Sequence, residues 1–477
     1  MVHRFGPFEL NAATGKLRRD GASVRLSVPQ SAILTYLVAR VGDVVSKEAL
    51  IEAGWDRLAI TDNSLEQAIS RLRKLLAEGH TRGGPPEGGH HTAAAYIETV
   101  PSQGYRFTAS VQRDTHDQRV APLEAQLAPF RAFVQGRTDL DTLDRHAIGR
   151  ARSAFEDALR RAPDYAPAHV GLAMACGLAF EATTPDPVRD AAPLELGICH
   201  ARKASALAPA SGEAWSTLAF LLHLNGKTED AAAAAHNAMT LEPDEWRHAL
   251  RAAYVTWGDE RLRAARRVLT LCPGLALAHW LRATVFMARG ASDAALEEVR
   301  LGCAAQDAQA KAAHFPGVGL HLLHGLILAA HDRLDAAEAE LQRELSWADS
   351  GQLYARECAA NTWYALGAVY LRQRKPAESE LAFGRALTIA PRHVSATAAL
   401  HREVPPTASA IDAAIGQAII LARCQRHADA ARVYSEAVAQ APPGSAGWQL
   451  PVEPLLNPLA NVEVWGEALA LVRMRAT

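Results

Sequence analysis

The segment Asn63 to Leu76 reads NSLEQAISRLRKLL and interleaves hydrogen-bonding and apolar side chains at helical spacing. At about 100° per residue, Leu65, Ile69, Leu72 and Leu76 fall in one apolar stripe, flanked by Ala68 and Leu75. Asn63, Gln67, Ser70, Arg71 and Lys74 fall on the opposite face, with Arg73 to one side. Such a set can donate and accept at base edges and neutralise phosphates. Glutamine suits adenine, arginine suits guanine, and lysine and serine hold phosphate. A solvated helix face with i,i+4 charge support would show the same pattern, so that alternative stands beside the first.

The surrounding sequence must supply the elements that hold this helix. Residues 1–27 suggest short strands, FGPFEL, KLRR and SVRLS, separated by the turn chemistry of AATG and DG. A helix opens at Pro29 and repeats Ile33, Leu34, Leu37, Val38 and Val41 at three- and four-residue steps, ending at Gly42-Asp43. Ser46 caps a second helix, SKEALIEAGW, and Asp62 or Asn63 caps the third, which ends near Gly79. The Gly/Pro-rich stretch 79–95 reads as a surface loop, and YIETVPSQGYRF (Tyr96 to Phe107) as a β-hairpin with Gly104 serving its turn. Residues 112–129 are polar and read as a linker.

The chain has 477 residues, enough for several domains, and its 49% hydrophobic and 21% charged content is that of a globular protein. Residues 1–113 hold 14 Lys and Arg against 11 Asp and Glu, and the rest holds 36 against 41. A basic head on an acidic body fits nucleic-acid binding at one end. All six cysteines lie beyond residue 113, none in a C-x-x-C pair, and they read as buried reduced thiols suited to a cytoplasmic location. MVHRFGPFEL has no apolar signal core. The nearest approach to a membrane span, Val318 to Ala330, is interrupted by His321 and His324 and is too short to cross a bilayer.

From residue 130 the pattern is helical, with a recurrence tied to proline. Five, eight and twelve residues before Pro163 stand Ala158, Phe155 and Ala151; before Pro391, Ala386, Phe383 and Ser379; before Pro442, Ala437, Tyr434 and Ala430. Pro243 and Pro209 follow the same spacing, whereas Pro273, with Val268, Ala265 and Arg261, fits poorly. Trp363, Leu366, Gly367 and Tyr370 precede Pro391, and Trp215, Leu218, Ala219 and Leu222 precede Pro243. This resembles the tetratricopeptide repeat, in which small residues let paired helices approach, an aromatic fills the gap and proline ends the second helix.

Residues 3–110 resemble the effector domain of OmpR/PhoB-type regulators. The likeness rests on GDVVSKEAL, Trp55, the set Ser64, Leu65, Ile69, Arg71, Leu72, Arg73, Lys74 and Leu76, and the closing Thr99-Val100 and Gly104-Tyr105-Arg106-Phe107. The resemblance implies an α+β winged helix-turn-helix domain over 1–113, a linker over 114–129, and an all-α tetratricopeptide-repeat solenoid over 130–477. It implies that the third helix enters the major groove of double-stranded promoter DNA. Gln67, Ser70 and Arg71 are then the base-contact candidates, and Asn63, Arg73 and Lys74 the phosphate candidates. Gln103 and Arg106 are the wing candidates, although Pro101-Ser102-Gln103 stands where many relatives carry an arginine. Tyr105 and Phe107 read as core. The turn 56–61 is where relatives can contact RNA polymerase. With the effector beginning at residue 3, no receiver domain is expected before it. Nor is a transmembrane helix expected after it, which sets the chain apart from CadC- and ToxR-like regulators, and a winged helix followed directly by repeats is similar to HilA-type regulators.

No P-loop, H-E-x-x-H, G-x-S-x-G or strand-linked G-x-G-x-x-G occurs, so no enzyme and no cofactor is expected. His90-His91 lacks partners at metal-ligand spacing, and His321, His324 and His331 read as satisfied or surface residues of a repeat, so no metal site is expected either. The reading is a transcriptional regulator whose repeats sense a signal, bind a protein or self-associate. The alternative is a repeat scaffold with a winged helix used for docking.

Overall fold

A computed structural model describes residues 2–12, 14–55, 62–77, 96–113, 123–186, 188–309, 315–403 and 409–477. The chain divides into two compact units, Met1–Arg131 and Ala132–Thr477.

In the first unit, strands β1 (Val2–Phe5), β2 (Phe8–Asn11), β3 (Leu17–Arg19) and β4 (Ala22–Val24) form an antiparallel meander, and β8 (Gln112–Arg113) adds to the free edge of β1. FGPFEL is thus two strands rather than one. Gly6 takes φ +54°, Pro7 follows it, and Phe5 pairs with Phe8 across the turn. The later turns behave as their residues dictate, with Gly15 at φ +65° and Asp20-Gly21 at +48° and +82°.

Three helices follow: α1 (Val28–Ala39), α2 (Lys47–Trp55) and α3 (Asp62–Ala77). Helix α1 starts at a capping box in which Ser27 Oγ accepts from the Gln30 N–H and Gln30 Oε1 accepts from the Ser27 N–H. A second small sheet joins β5 (Val44–Val45), β7 (Gly104–Phe107) and β6 (Ile97–Val100), in that order. One core unites these pieces. Phe5, Leu10, Leu17, Ile33, Leu37, Leu50, Leu65, Ile69, Leu72, Leu76, Ile97 and Phe107 are buried in it, and the Phe5 and Phe107 rings meet edge-on at 5.1 Å. Burying each such side chain contributes about 1.5–3 kcal/mol.

The second unit is all helix. Its elements are α4 (Leu123–Asp141, beginning in the first unit), α5 (Arg145–Arg161), α6 (Ala166–Ala182), α7 (Ala192–Leu207), α8 (Gly212–Leu224) and α9 (Thr228–Leu241). There follow α10 (Trp246–Val255), α11 (Gly258–Leu271), α12 (Ala276–Ala288), α13 (Ser292–Ala308), α14 (Leu320–Ala330) and α15 (Leu334–Leu345). The series ends with α16 (Ala355–Arg372), α17 (Pro376–Ile389), α18 (Val394–Ala399), α19 (Ala410–Arg423), α20 (His427–Gln440) and α21 (Val462–Arg475). Neighbours pack in pairs, α6 on α7, α8 on α9, α12 on α13, α16 on α17. The helices before Pro163, Pro209, Pro243, Pro273, Pro391 and Pro442 each end two residues ahead of the proline.

The repeat positions pack as their sizes require. The Phe155 ring fills a slot between Gly136 and Gly171, where an added Cβ would stand 2.8 and 2.3 Å from it; Phe383 does the same against Gly367. Pro273, the poor match, keeps the same geometry, because Val268, Ala265 and Arg261 are all buried. Arg261 is tolerated there because its guanidinium donates to the carbonyls of Ala253, Tyr254 and Thr256 and to Thr284 Oγ1, over the Trp257 ring. At Pro442, Tyr434 and Ala430 are buried as expected, but Ala437 is only partly so and the adjacent Val438 is buried. Trp215 is half-buried, and its Nε1–H donates to the Pro209 carbonyl at 2.9 Å. Cysteines 176, 272 and 303 are buried, but Cys199 and Cys424 are exposed, the first on the outer side of α7 and the second at the C-cap of α19. Among the described residues no helix is long and apolar enough to cross a membrane; α14 stops after 11 residues.

Candidate nucleic-acid interface

Helix α3 presents two chemically separate faces. Leu65, Ala68, Ile69, Leu72 and Leu76 are buried, whereas Gln67, Ser70, Arg71 and Lys74 are exposed together on the other side. Asn63 lies in the first turn of the helix, its side chain outside the described set. The Lys47–Glu66 ion pair, 3.3 Å, ties α2 to the edge of this face. Exposed as it is, such a pair adds well under about 1 kcal/mol.

Arg73 stands apart. Its Nε donates to the Ile97 carbonyl at 2.9 Å and its Nη2 to Thr99 Oγ1 at 2.7 Å, with the Tyr105 ring 5.8 Å away. The guanidinium therefore latches the helix to the first strand of the hairpin. Thr99 and the Ile97 carbonyl were not legible as site residues; the only hint in the sequence was the sideways position of Arg73 on the helical wheel. Arg73→Ala is expected to lower the melting stability of the first unit by about 1–2 kcal/mol, since both donors are lost. Thermal unfolding of the full chain measures it, and an unchanged transition would show that the latch carries no weight.

The hairpin tip is Pro101-Ser102-Gln103. Ser102 takes φ +63°, the Gln103 N–H donates to the Val100 carbonyl at 3.1 Å, and the Gln103 side chain is exposed. Gly104 is not a turn residue. It begins β7 at φ +137°, and a Cβ there would lie 2.0 Å from the Val45 carbonyl oxygen, so glycine is required for β5 to approach. Tyr105 and Phe107 are buried. Arg106 lies on the other side of the strand, 3.7 Å from its cross-strand neighbour Glu98, which offsets its charge. The structure thus gathers Gln67, Ser70, Arg71 and Lys74 on one face, joins Arg73 to the hairpin, and turns Arg106 toward an acid. The turn 56–61 and the 79–95 loop with His90-His91 lie outside the described residues.

Residues 21–107 match the family described as transcriptional regulatory protein, C terminal. The first unit is an OmpR/PhoB-type winged helix. The chain is 30% identical over 130 residues to the transcriptional regulator HilA of Salmonella typhimurium, an alignment covering 26% of this chain and 21% of HilA. Against the structure of the E. coli CadC DNA-binding domain the identity is 27%, covering 23% of this chain and 94% of that one, with a TM-score of 0.20. A tetratricopeptide repeat protein from Parabacteroides merdae aligns over 54% of this chain and 93% of its own at 13% identity and a TM-score of 0.37. The chain therefore spans only about a fifth of HilA's length.

The repeats that follow the winged helix do not present a simple open groove. Non-neighbouring turns of the solenoid touch. The Phe315 N–H donates to the Asp141 carbonyl at 2.8 Å, Leu353 to Leu143 at 2.7 Å, and Arg145 to Gly351 at 2.9 Å. Inside lie Arg251, within 5.0 Å of the Phe220 ring, and Tyr254, whose hydroxyl donates to Glu181 at 3.2 Å. Burial, with Glu181 nearby, pushes the Glu357 carboxyl up to about 7. His321 and His324 converge on Glu340, but His331 caps the end of α14 and is exposed.

Proposed function

We propose that this chain is a sequence-specific DNA-binding transcriptional regulator. The observation that carries the reading is the exposed face of α3, where Gln67, Ser70, Arg71 and Lys74 stand together opposite a fully buried leucine stripe. In this reading α3 lies in the major groove of double-stranded promoter DNA. Gln67, Ser70 and Arg71 read base edges, while Asn63 and Lys74 hold phosphate. Arg73 sets the angle of the wing, and Gln103 at its tip touches the backbone or minor groove, with Arg106 supporting it. The reading takes 1–113 as the DNA-binding domain, 114–129 as a linker and 130–477 as the repeat domain. It assigns protein contacts or self-association to the repeats, RNA polymerase contact to 56–61, and a cytoplasmic location to the whole, with no catalytic role.

Full-length protein is expected to bind genomic duplex fragments with an affinity that falls as salt rises, because each phosphate contact releases counterions. Arg71→Ala should cost about 1–3 kcal/mol at a selected site and relax its sequence preference. Lys74→Ala should weaken all sequences alike and lower the salt slope by about one. Electrophoretic or fluorescence titrations on selected and scrambled duplexes separate the two. Duplex binding with no salt dependence, or none at all, would favour the scaffold reading.

A further inference from the structure

Helices α13, α14 and α15 turn a thiol, two imidazoles and a carboxylate toward one another. Sγ of Cys303, a ring nitrogen of His321 and a carboxylate oxygen of Glu340 all lie within 4.8 Å of each other. The His321 side chain is wholly buried and meets a carboxylate at each end, Nδ1 at 2.6 Å from Glu340 Oε2 and Nε2 at 3.0 Å from Asp307 Oδ1. His324 Nδ1 lies 3.3 Å from the same Glu340 oxygen; it is buried and makes no hydrogen bond there. The backbone around these groups is fixed, because the Glu344 carboxylate accepts from the N–H groups of Gly319, His321 and Leu322 at the start of α14.

These contacts do not balance for neutral rings. A neutral imidazole has one N–H. If His321 Nε2–H donates to Asp307, its Nδ1 lone pair faces a carboxylate oxygen, and the orphaned His324 nitrogen faces the same atom. Either a further proton sits on one of these groups or a cation belongs among the lone pairs. The buried thiol beside them favours the cation. A proton has no use for sulfur, whereas a mixed S, N and O donor set suits a borderline-soft divalent ion such as zinc.

We propose that Cys303, His321 and Glu340 form a zinc-type metal site, with His324 within reach as a fourth donor. Asp307 then orients His321 from behind, the arrangement by which a second carboxylate fixes the tautomer of a ligating histidine. On uptake the Cys303 S–H proton leaves to solvent and a sulfur–metal bond replaces it. The ion would join three successive helices of the solenoid. Sequence spacing alone favoured satisfied histidines here, because Cys303 and Glu340 are brought in from other helices.

The test uses the full chain, stripped with chelator, with Co2+ as the probe. Cys199→Ser and Cys424→Ser form the background, so that neither exposed thiol competes. One Co2+ per chain is expected, with the intense visible bands of a tetrahedral site and a thiolate-to-cobalt charge-transfer band, both displaced by Zn2+. Cys303→Ala should remove the charge-transfer band. Asp307→Asn, at a partly exposed position whose loss spares the core, should weaken Co2+ binding about 10–100-fold. Absence of a thiolate band in the folded background protein, a band that survives Cys303→Ala, or unchanged affinity in Asp307→Asn would each overturn the site and leave these side chains as a buried hydrogen-bonded cluster.

Discussion

Gly104→Val is expected to remove much of the winged helix's stability, lowering its melting transition steeply and weakening duplex binding, while the helical repeats melt as before. Two independent costs meet at this residue. Its φ of +137° is a conformation that L side chains rarely adopt, and its Cβ would stand 2.0 Å from the Val45 carbonyl oxygen and 2.9 Å from Ser46 Cα. Neither neighbour is the far end of a flexible side chain; both are backbone, so relief requires β5 to leave the sheet. Backbone strain of about 1–3 kcal/mol and overpacking of about 1–3 kcal/mol together reach roughly 4 kcal/mol. A small domain holds only about 5–15 kcal/mol in total. Thermal unfolding of the full chain, followed by a DNA-binding titration, checks both halves. Retained duplex affinity with an unshifted transition would show that β5 is dispensable to the wing.

The second large effect belongs to the repeats. Phe155→Ala should cost about 3–5 kcal/mol, the usual price of emptying a buried phenylalanine site. Its ring is fully buried and fills the space that Gly136 and Gly171 leave open, so three successive helices lose their common contact. The denaturant midpoint of the solenoid is expected to fall, with the winged-helix transition and single-site DNA affinity unchanged. Replacing Gly171 with alanine should act in the same direction, since its Cβ would lie 2.3 Å from the same ring. A midpoint that does not move with Phe155→Ala would mean that the repeat packing tolerates a cavity at its N-terminal end.

Much of this was written locally. The helices of the first unit follow from apolar spacing and caps, because a 3.6-residue period and a capping box act within a few residues of chain. The repeat register followed from proline, since a proline beyond the first turn lacks the N–H that would continue the helix, and six of the helices end two residues before one. The exposed face of α3 was likewise fixed by the wheel, as Leu65, Ile69, Leu72 and Leu76 have one way to be buried together.

What the chain left undecided lies between distant segments. The Gly6-Pro7 turn split a run that read as one strand, because pairing of Phe5 with Phe8 depends on the neighbouring sheet rather than on either residue's propensity. Strands β5 and β8, of two residues each, have no periodic signal and exist through their partners β7 and β1. Arg73 read as a phosphate candidate, and the fold also brings its guanidinium to Thr99, 26 residues away, a contact that sequence order does not show. Arg261 looked like a mismatch in its repeat until three carbonyls and a hydroxyl were folded around it. Sequence alone determined which faces are apolar and where helices stop, because those properties act over one or two turns of chain. Only the tertiary structure decided which polar groups are satisfied and which remain to meet a ligand, because a hydrogen bond or a metal site needs partners that the fold, and not the sequence order, brings within 3 Å.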